Sequence, residues 1–440
     1  MQHSVGTKLA ACLSTVALAA AAGLFWMGSG GTASAYSGAQ AEAQSDPYAF
    51  PNIELCCKKK TYRHRPRRGG GGDGGPGYPY PGDGDDSGYP SRGTVRVSCG
   101  EPYRYSYSSI GEALEHIGEG GRIRVRPGAA CDISGLTIDQ GVVIESDDYA
   151  YGGRAELRAA DCATVAPGYG SSLVSFRGVD IDGCIVVQQG RLDFNEVNLA
   201  SRGTGDAVRL NGGTFSSTES TIRARGTAVN AVRGLTVSLT GGGFASGARA
   251  ESVIQLNVDG ATVQNTLIKG GLIGVRVGMT GRYPVVFNRV QVLRGEAAEI
   301  RQIGPGQAGI LVGGPGPGDD LPSLPSLPGT SFSIEGGAIA GYADGIVFTP
   351  GTRGAAKGVN IAYPGRGIVV GPGAAVELRE NRITHSKRAG IDLAEGAVGS
   401  ASFNDIQCDN GHCVCYGGDC TSRSDRDFGA FRMSGTRCDD

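Results

Sequence analysis

The stretch ELRENRITHSKRAGIDL (Glu377–Leu393) decides the fold, because its pattern returns in ASFNDIQ (Ala401–Gln407). Asn381 and Asn404 stand at corresponding places in the two stretches, about 23 residues apart, which is enough chain for one structural repeat. Each unit joins Asn-x-Ile, a polar turn and Gly-Ile-x-Leu. Side chains alternate between inside and outside along short strands of this kind, and glycines allow corners between them. The unit therefore predicts a repeat built from short strands.

The same spacing occurs in two other parts of the chain. FNEVNLASRGT and ESTIRARGT separate Arg202 from Arg225 by the same interval, and VQNTLIKGG and VFNRVQVLRG do so for Asn265 and Asn288. Self-similarity at such a period predicts a solenoid. Asparagines at matching positions are expected to stack as a hydrogen-bonded ladder. The units have neither a leucine scaffold nor a helical period, which favours three short parallel sheets wound into a coil.

One helix precedes these repeats, in SSIGEALEHIGEGGRIRVRPG (Ser108–Gly128). Ile110, Ala113, Leu114 and Ile117 form one apolar face. Ser109 and Glu112 predict a capping box. The glycines after Ile117 predict its end.

The Asn-x-Ile … Gly-Ile-x-Val units resemble the right-handed parallel β-helix repeats of the pectate lyase-like superfamily. The resemblance covers about residues 94–406 and implies an all-β fold whose first coil is covered by the helix, which hides a sheet edge. It implies a polysaccharide ligand and, for active members, a lyase, epimerase or hydrolase. The Asn-Thr-Asp, Trp-Ile-Asp-His and Gly-Arg-Pro-Trp signatures of those enzymes are absent from the sequence, so no catalytic residue transfers. No cofactor is expected, and calcium is expected only for lyase-like activity.

The chain outside the repeats is predicted to have three parts. Residues 1–35 indicate a signal peptide, with Ala33-Ser34-Ala35 as its cleavage site, although an uncleaved membrane anchor has a similar apolar run. Residues 36–93 are predicted to be a disordered linker rich in glycine and proline. Residues 407–440 are predicted to be a cysteine-rich tail whose disulfides cap the C-terminal end of the coil. The insertion 313–330, rich in proline, is expected to leave the coil and either to wall a groove or to be a tolerated surface loop.

Charge gives little support for a nucleic-acid partner, since the net charge of the 440 residues is −2. The basic segment 58–68 carries seven Lys and Arg residues. It fits either a tether to an anionic surface or a solvated charge run. The single tryptophan is Trp26, so sugar stacking in the mature chain would depend on tyrosines such as Tyr149, Tyr151, Tyr169 and Tyr363.

The cysteines favour disulfides in an oxidising compartment. Cys162 and Cys184 are one turn apart, and Cys99 and Cys131 flank the helix, so both pairs are disulfide candidates. The tail spacing favours disulfides over zinc, because it lacks paired Cys-x₂-Cys knuckles. The tail candidates are Cys408, Cys413, Cys415, Cys420 and Cys438.

Charged residues in the repeats supply weak candidates for a site. Asp180 and Asp182 project from one face of a strand, and Arg202 and Arg225, with Asp206 nearby, either form a surface stripe with them or are solvated turn charges. His385, Lys387 and Asp392 are candidates for a base and acid pair. His116, on the helix, is expected at the surface. The sequence thus predicts an exported protein of the envelope or cell surface that binds polysaccharide along its coil without efficient catalysis. The alternatives are an enzyme with a diverged site and a structural or adhesive surface protein.

Overall fold

The computed structural model describes residues 93–100, 106–128, 130–147, 153–168, 172–295, 306–313, 330–409, 412–421 and 427–439. Every described residue lies within Tyr78–Asp440, which forms one compact unit. The predicted signal peptide, the linker up to residue 92, the basic segment 58–68 and residues 314–329 of the insertion lie outside the described residues, as do Tyr149, Tyr151 and Tyr169.

The described residues form one helix, α1 (Ile110–His116), and a series of short strands. The strands of the first half are β1 (Thr94–Val97), β2 (Gly121–Val125), β3 (Cys131–Asp132), β4 (Thr137–Ile138), β5 (Val142–Ser146), β6 (Ala155–Val165), β7 (Leu173–Arg177), β8 (Val179–Val187), β9 (Arg191–Asn195), β10 (Asn198–Ser201), β11 (Val208–Leu210), β12 (Thr214–Thr218), β13 (Thr221–Ala224), β14 (Val229–Thr240), β15 (Gly243–Ser246) and β16 (Ser252–Gln264). Those of the second half are β17 (Leu267–Lys269), β18 (Ile273–Thr280), β19 (Val285–Leu293), β20 (Gly306–Val312), β21 (Ser331–Ala340), β22 (Tyr342–Phe348), β23 (Arg353–Lys357), β24 (Asn360–Ala362), β25 (Arg366–Val370), β26 (Ala375–Arg379), β27 (Arg382–Ser386), β28 (Ala389–Leu393), β29 (Val398–Ser402), β30 (Asp405–Cys408), β31 (Val414–Tyr416), β32 (Asp419–Thr421), β33 (Phe431–Ser434) and β34 (Arg437–Asp439).

These strands wind into a parallel β-helix of about 11 turns, as the repeats predict. Each turn contributes to three faces, and a strand pairs in parallel with its equivalent one turn later. The first face contains β1, β2, β5, β7, β9, β12, β23, β26, β29, β33 and parts of β14, β16, β19 and β21. The second contains β3, β10, β13, β15, β17, β24, β27, β30, β34 and parts of β6, β8, β19 and β21. The third contains β4, β11, β18, β20, β22, β25, β28, β31 and parts of β6, β8, β14 and β16.

A left-handed residue marks the corner between the first and second faces in successive coils. A positive φ lets the chain turn sharply there, and glycine adopts it without steric cost. The residues at this corner are Gly178, Glu196, Glu219, Gly241, Asn265, Arg289, Gly336, Gly358, Glu380, Phe403 and Gly435. The regular return of this corner explains the period that the sequence shows.

The predicted asparagine ladder exists for one of the two asparagine pairs. Asn381 and Asn404 are buried just after the left-handed corner, and the Nδ2 of Asn381 donates to the Oδ1 of Asn404 over 2.9 Å. In the other pair, Asn288 is in register with Gln264 rather than with Asn265. That coil has one more residue than the interval between the asparagines, so Asn265 falls on the corner and Asn288 on the preceding strand.

The interior of the coil is filled by apolar side chains from the three faces. Phenylalanines stack from coil to coil, with Phe194 edge-on to both Phe176 and Phe215 at centroid distances of 5.8 and 5.3 Å. Phe287 and Phe332 make a similar contact at 5.2 Å. Each coil therefore buries its apolar residues against the next, as a repeat architecture requires.

Helix α1 occurs where the apolar period predicts it, with Ser109 as its N-cap. Ser109 Oγ accepts a hydrogen bond from the N–H of Glu112 over 3.1 Å. The Glu112 carboxylate accepts from the N–H of Ser108 rather than from that of Ser109, so the capping box is one residue wider than predicted. Gln140 donates to the carbonyl of Leu114 and joins the helix to the first coil. The role of helix α1 as a cap of the first coil stays a prediction.

The parallel pairing continues beyond residue 406 into the cysteine-rich tail. β33 pairs with β29, and β34 pairs with β30. Phe431 and Met433 point into the interior from β33, which places part of the tail in the core. β31 and β32 form an antiparallel hairpin closed by Cys415 and Cys420. The described part of the chain contains no helix that is long and apolar enough to cross a membrane.

Candidate functional site

A groove of about 470 Å³ opens on the corner between the second and third faces, where β6, β8 and the β10–β11 connection meet. β8 turns this corner tightly through Gly183 and Cys184. On one side β6 bulges, since Ala159 pairs with Gly183 and Ala163 pairs with Ile185. On the other side the chain leaves the sheet between Ser201 and Ala207. The groove is thus the gap between the bulge of β6 and the β10–β11 connection, above the tight turn of β8.

Gly183 is required at this turn. Its φ is +143°, and a Cβ built on it would lie 2.0 Å from the carbonyl oxygen of Ala159. The Cys162–Cys184 disulfide ties the bulge of β6 to the turn. With Ala159, Ala160 and Val186 it gives the groove an apolar floor.

Five charged side chains line the groove: Arg158, Asp182, Arg202, Asp206 and Arg209. Arg158 and Asp182 are register partners on the outer side of the second face. Arg202 lies 3.4 Å from Asp182, but its side chain is 82% exposed, so this ion pair is weak. The Nε of Arg209 donates to Asn211 over 3.2 Å. Three arginines therefore line one opening.

Asp206 is a half-buried acid of the groove. The Nδ2 of Asn230 donates to its Oδ2 over 2.8 Å. Burial raises the pKa of Asp206, and hydrogen bonds from Asn230 and Thr227, together with the charge of Arg209, offset part of that rise. Desolvation disfavours the carboxylate form, so Asp206 is the groove residue best suited to carry a proton.

Asp180 and Arg225, the other acid and arginine of the predicted stripe, do not line the groove. Asp180 accepts from the Nε of Arg154 over 2.6 Å and from Asn198 over 2.9 Å, which makes it part of a hydrogen-bonded network on the second face. Arg225 is exposed one coil beyond Arg202, and its N–H donates to the carbonyl of Ser201.

The structure separates the predicted base and acid of the second cluster. His385 Nδ1 lies 3.2 Å from Asp409 Oδ1, and its ring stacks on that of Tyr363. Asp392 instead accepts from Arg366, which also makes a bidentate pair with Asp344. The hydrogen bonds to Asp344 and Asp392 raise the pKa of Arg366 further above its ordinary value. Lys387, which lies between β27 and β28, follows the buried Ser386.

His116 is exposed on α1, as expected, with its ring 5.1 Å from that of Tyr107. The two guanidinium groups that the sequence reading missed are Arg158 and Arg209. Arg158 precedes Asp182 by nearly one period of the repeats, so the spacing could have found it. Arg209 lines the groove only because the β10–β11 connection before it leaves the sheet, and the sequence pattern does not show this.

Three disulfides are present in the described residues. Cys99 is joined to Cys131, Cys162 to Cys184, and Cys415 to Cys420. The remaining tail candidates, Cys408, Cys413 and Cys438, are thiols in the structure, in place of the predicted disulfides. Cys413 hydrogen-bonds to the other two thiols, and these contacts raise its pKa. The hydrogen bond with Cys413, with others from Ser386 and Gly390, lowers the pKa of Cys408 to about 7. Within the described ranges, no group of three or more His, Cys, Asp or Glu is placed to hold a metal ion.

No protein-family model matches the chain, and no curated protein sequence matches it. Among solved structures, it is similar to the A-module of the mannuronan C-5 epimerase AlgE4 of Azotobacter vinelandii. The identity is 14% and the TM-score 0.41, over 66% of this chain and 80% of that one.

Proposed function

We propose that the protein is an exported β-helix that binds an anionic extracellular polysaccharide in the groove on the corner of the second and third faces. The observation that carries the proposal is the convergence of Arg158, Arg202 and Arg209 on one opening of about 470 Å³. Guanidinium groups bind carboxylates and sulfates through paired hydrogen bonds. A weak ion pair such as Arg202–Asp182 is readily exchanged for a ligand anion.

The shape of the groove also supports an extended ligand. It is open to solvent along the corner, and the disulfide and small side chains of its floor leave room for the apolar face of a sugar ring. The three disulfides support an oxidising compartment and hence export. Contact of the basic segment 58–68 with an anionic surface stays a prediction beside this proposal.

The test is the affinity of the full chain for dextran sulfate, polygalacturonate and unmodified dextran at low and high salt. We expect binding of the two anionic polymers that weakens with salt and no measurable binding of dextran. Replacing Arg158, Arg202 and Arg209 together by Gln should reduce the affinity at least about tenfold, or roughly 1.4 kcal/mol. The control replaces the exposed Arg353, Arg382 and Arg432 by Gln, which changes the net charge equally. Equal losses in both variants would mean that overall charge, not the groove, attracts the polymer.

A second candidate function is cleavage or epimerisation of the same polysaccharide. The observation that favours it is Asp206, whose raised pKa suits a proton donor, in one groove with Asp182. Carboxyl groups in different environments divide the roles of acid and base in this way. Reducing ends, unsaturated products and epimerised residues are measured with each polymer that binds. Product formation lost in Asp206→Asn with binding retained supports an enzyme, and bound polymer that stays unchanged leaves a binding protein. A chain that binds none of these polymers leaves the structural or adhesive alternative.

A further inference from the structure

A second surface feature lies on the same corner of the coil as the groove. The rings of Tyr363 and His385 stack face to face, with centroids 4.7 Å apart and planes inclined by 7°. They are equivalent residues of consecutive coils, because the preceding Ala362 and Thr384 are register partners on β24 and β27. Tyr363 is 45% exposed. The stacked pair is therefore partly open to solvent.

The backbone beneath these rings is strained. Tyr363 and His385 have φ values of +56° and +58°, in the left-handed region that disfavours side chains. The equivalent position one coil earlier is Gly341, with φ +84°, since Ala340 is in register with Ala362. Two large rings thus stand where the fold accepts glycine.

The two rings are also held in place. Tyr363 N–H donates to the carbonyl of Thr384 over 2.9 Å. His385 Nδ1 also lies 3.2 Å from Asp409 Oδ1. Gly341 contributes no side chain to the stack, so the ring face of Tyr363 that points to that coil borders a glycine.

The groove and the ring pair follow the same corner line. From β8 the second face passes through β10, β13, β15, β17, β19 and β21 to β24. Seven strand spacings of ~4.8 Å separate the two features, or roughly 34 Å. An extended polymer lying along the corner would reach both.

We propose that Tyr363 and His385 form a second subsite, at which a pyranose ring of the bound polysaccharide stacks on Tyr363. The inference rests on the proposed function and adds a neutral, shape-reading contact to the charged groove. The C–H face of a pyranose packs on an aromatic ring, and the phenol hydroxyl can bond to a sugar hydroxyl. The groove then holds the anionic groups, while the ring pair recognises the sugar itself.

The test compares size-fractionated dextran sulfate, in fragments too short and long enough to reach both features. Tyr363→Gly removes the ring and accepts the left-handed backbone. We expect it to weaken binding of long fragments about five- to tenfold, to leave short fragments unaffected, and to raise the melting temperature. Tyr283→Ala is the matched control, since Tyr283 is 62% exposed and lies between β18 and β19, away from this corner.

The outcomes separate the two proposals. If long fragments bind Tyr363→Gly as tightly as the original chain while the groove variant binds weakly, the ring subsite is wrong and the groove stands. A Tyr363→Gly variant that melts at lower temperature would assign the rings to packing and also overturn the subsite. If the original chain binds no fragment, the proposed function fails and the subsite with it.

Discussion

Asn404 lies one coil beyond Asn381, and its Oδ1 accepts hydrogen bonds from both the N–H and the Nδ2 of Asn381, over 3.1 and 2.9 Å. Asn404 Nδ2 in turn donates to the carbonyl of Leu378. Both side chains are about 1% exposed. The amides thus bond to the backbone where the left-handed corner interrupts the strand ladder.

Replacing Asn404 by Ala is therefore expected to lower the free energy of unfolding by about 2–3 kcal/mol, because two buried donors of Asn381 lose their acceptor. Urea unfolding followed by circular dichroism measures the change. Asn360→Ala, on the exposed side of β24, is the control and should stay within about 0.5 kcal/mol. Equal effects of the two substitutions would show that the buried ladder adds no stability.

The fold could be predicted from the sequence because each coil needs the same types of residue at the same positions. The same pattern recurs in the sequence with each coil: a residue at the left-handed corner, a buried residue after it, and alternating apolar positions. Asn381 and Asn404 show that pattern directly. The misassigned pair Asn265 and Asn288 shows its limit, since one extra residue in a coil moves a side chain from a strand to a corner.

The site was less readable because it depends on departures from the repeat. Asp182 and Arg202 were recognised as charged neighbours, but the groove exists because β6 bulges and the β10–β11 connection is long. Spacing also cannot show that the His385 side chain contacts Asp409, whereas Asp392 accepts a hydrogen bond from Arg366. Such choices follow from side-chain directions at irregular corners, where the period carries no information.

Two glycines of the groove give opposite predictions. Gly183→Ala would bring a Cβ within 2.0 Å of the Ala159 carbonyl, so we expect a loss of stability of at least about 2 kcal/mol and weaker polymer binding. In Gly205→Ala the Cβ has nothing within 4 Å apart from its two chain neighbours, so stability should change by less than about 0.5 kcal/mol. Thermal unfolding and dextran sulfate titration measure both. Similar behaviour of the two variants would contradict the tight turn as the origin of the groove.

Arg366 is expected to stabilise the third face. It holds Asp344 through two hydrogen bonds of 2.8 and 2.7 Å and Asp392 through one of 3.0 Å. Arg366→Ala leaves two neighbouring carboxylates without their cation, and a loss of about 1–3 kcal/mol is expected in urea unfolding. Arg366→Lys should recover part of it, because an ammonium cannot replace the bidentate fork.

The control for this cluster is Arg382→Ala. Arg382 and Asp405 form an exposed pair at 3.7 Å, and such pairs contribute between zero and about 1 kcal/mol. If Arg382→Ala costs as much as Arg366→Ala, the geometry of the cluster gives no added stability.

The half-buried carboxyl of Asp206 is expected to make the stability of the fold depend on pH. Burial raises the pKa of Asp206 above its ordinary value of 3.8. The unfolded chain therefore loses this proton at lower pH than the folded chain, and the contribution of Asp206 to stability falls as pH rises from 3.8 through the folded-state pKa. Above that pH the contribution is constant. Asp206→Asn has no carboxyl to titrate, so the decrease in stability over this pH range should be absent. The free energies of unfolding of the variant and the original chain should be most similar below pH 3.8 and should then diverge in favour of the variant as pH rises.

The same carboxyl is expected to set the pH dependence of binding. Dextran sulfate keeps its charge over this range, so the affinity of the original chain should rise as Asp206 takes up its proton and no longer offsets the three arginines. Asp206→Asn should bind at neutral pH as the original chain does in acid, with a nearly flat profile. Titrations at matched ionic strength measure both profiles. A variant that keeps the full pH dependence would assign it to a group other than Asp206.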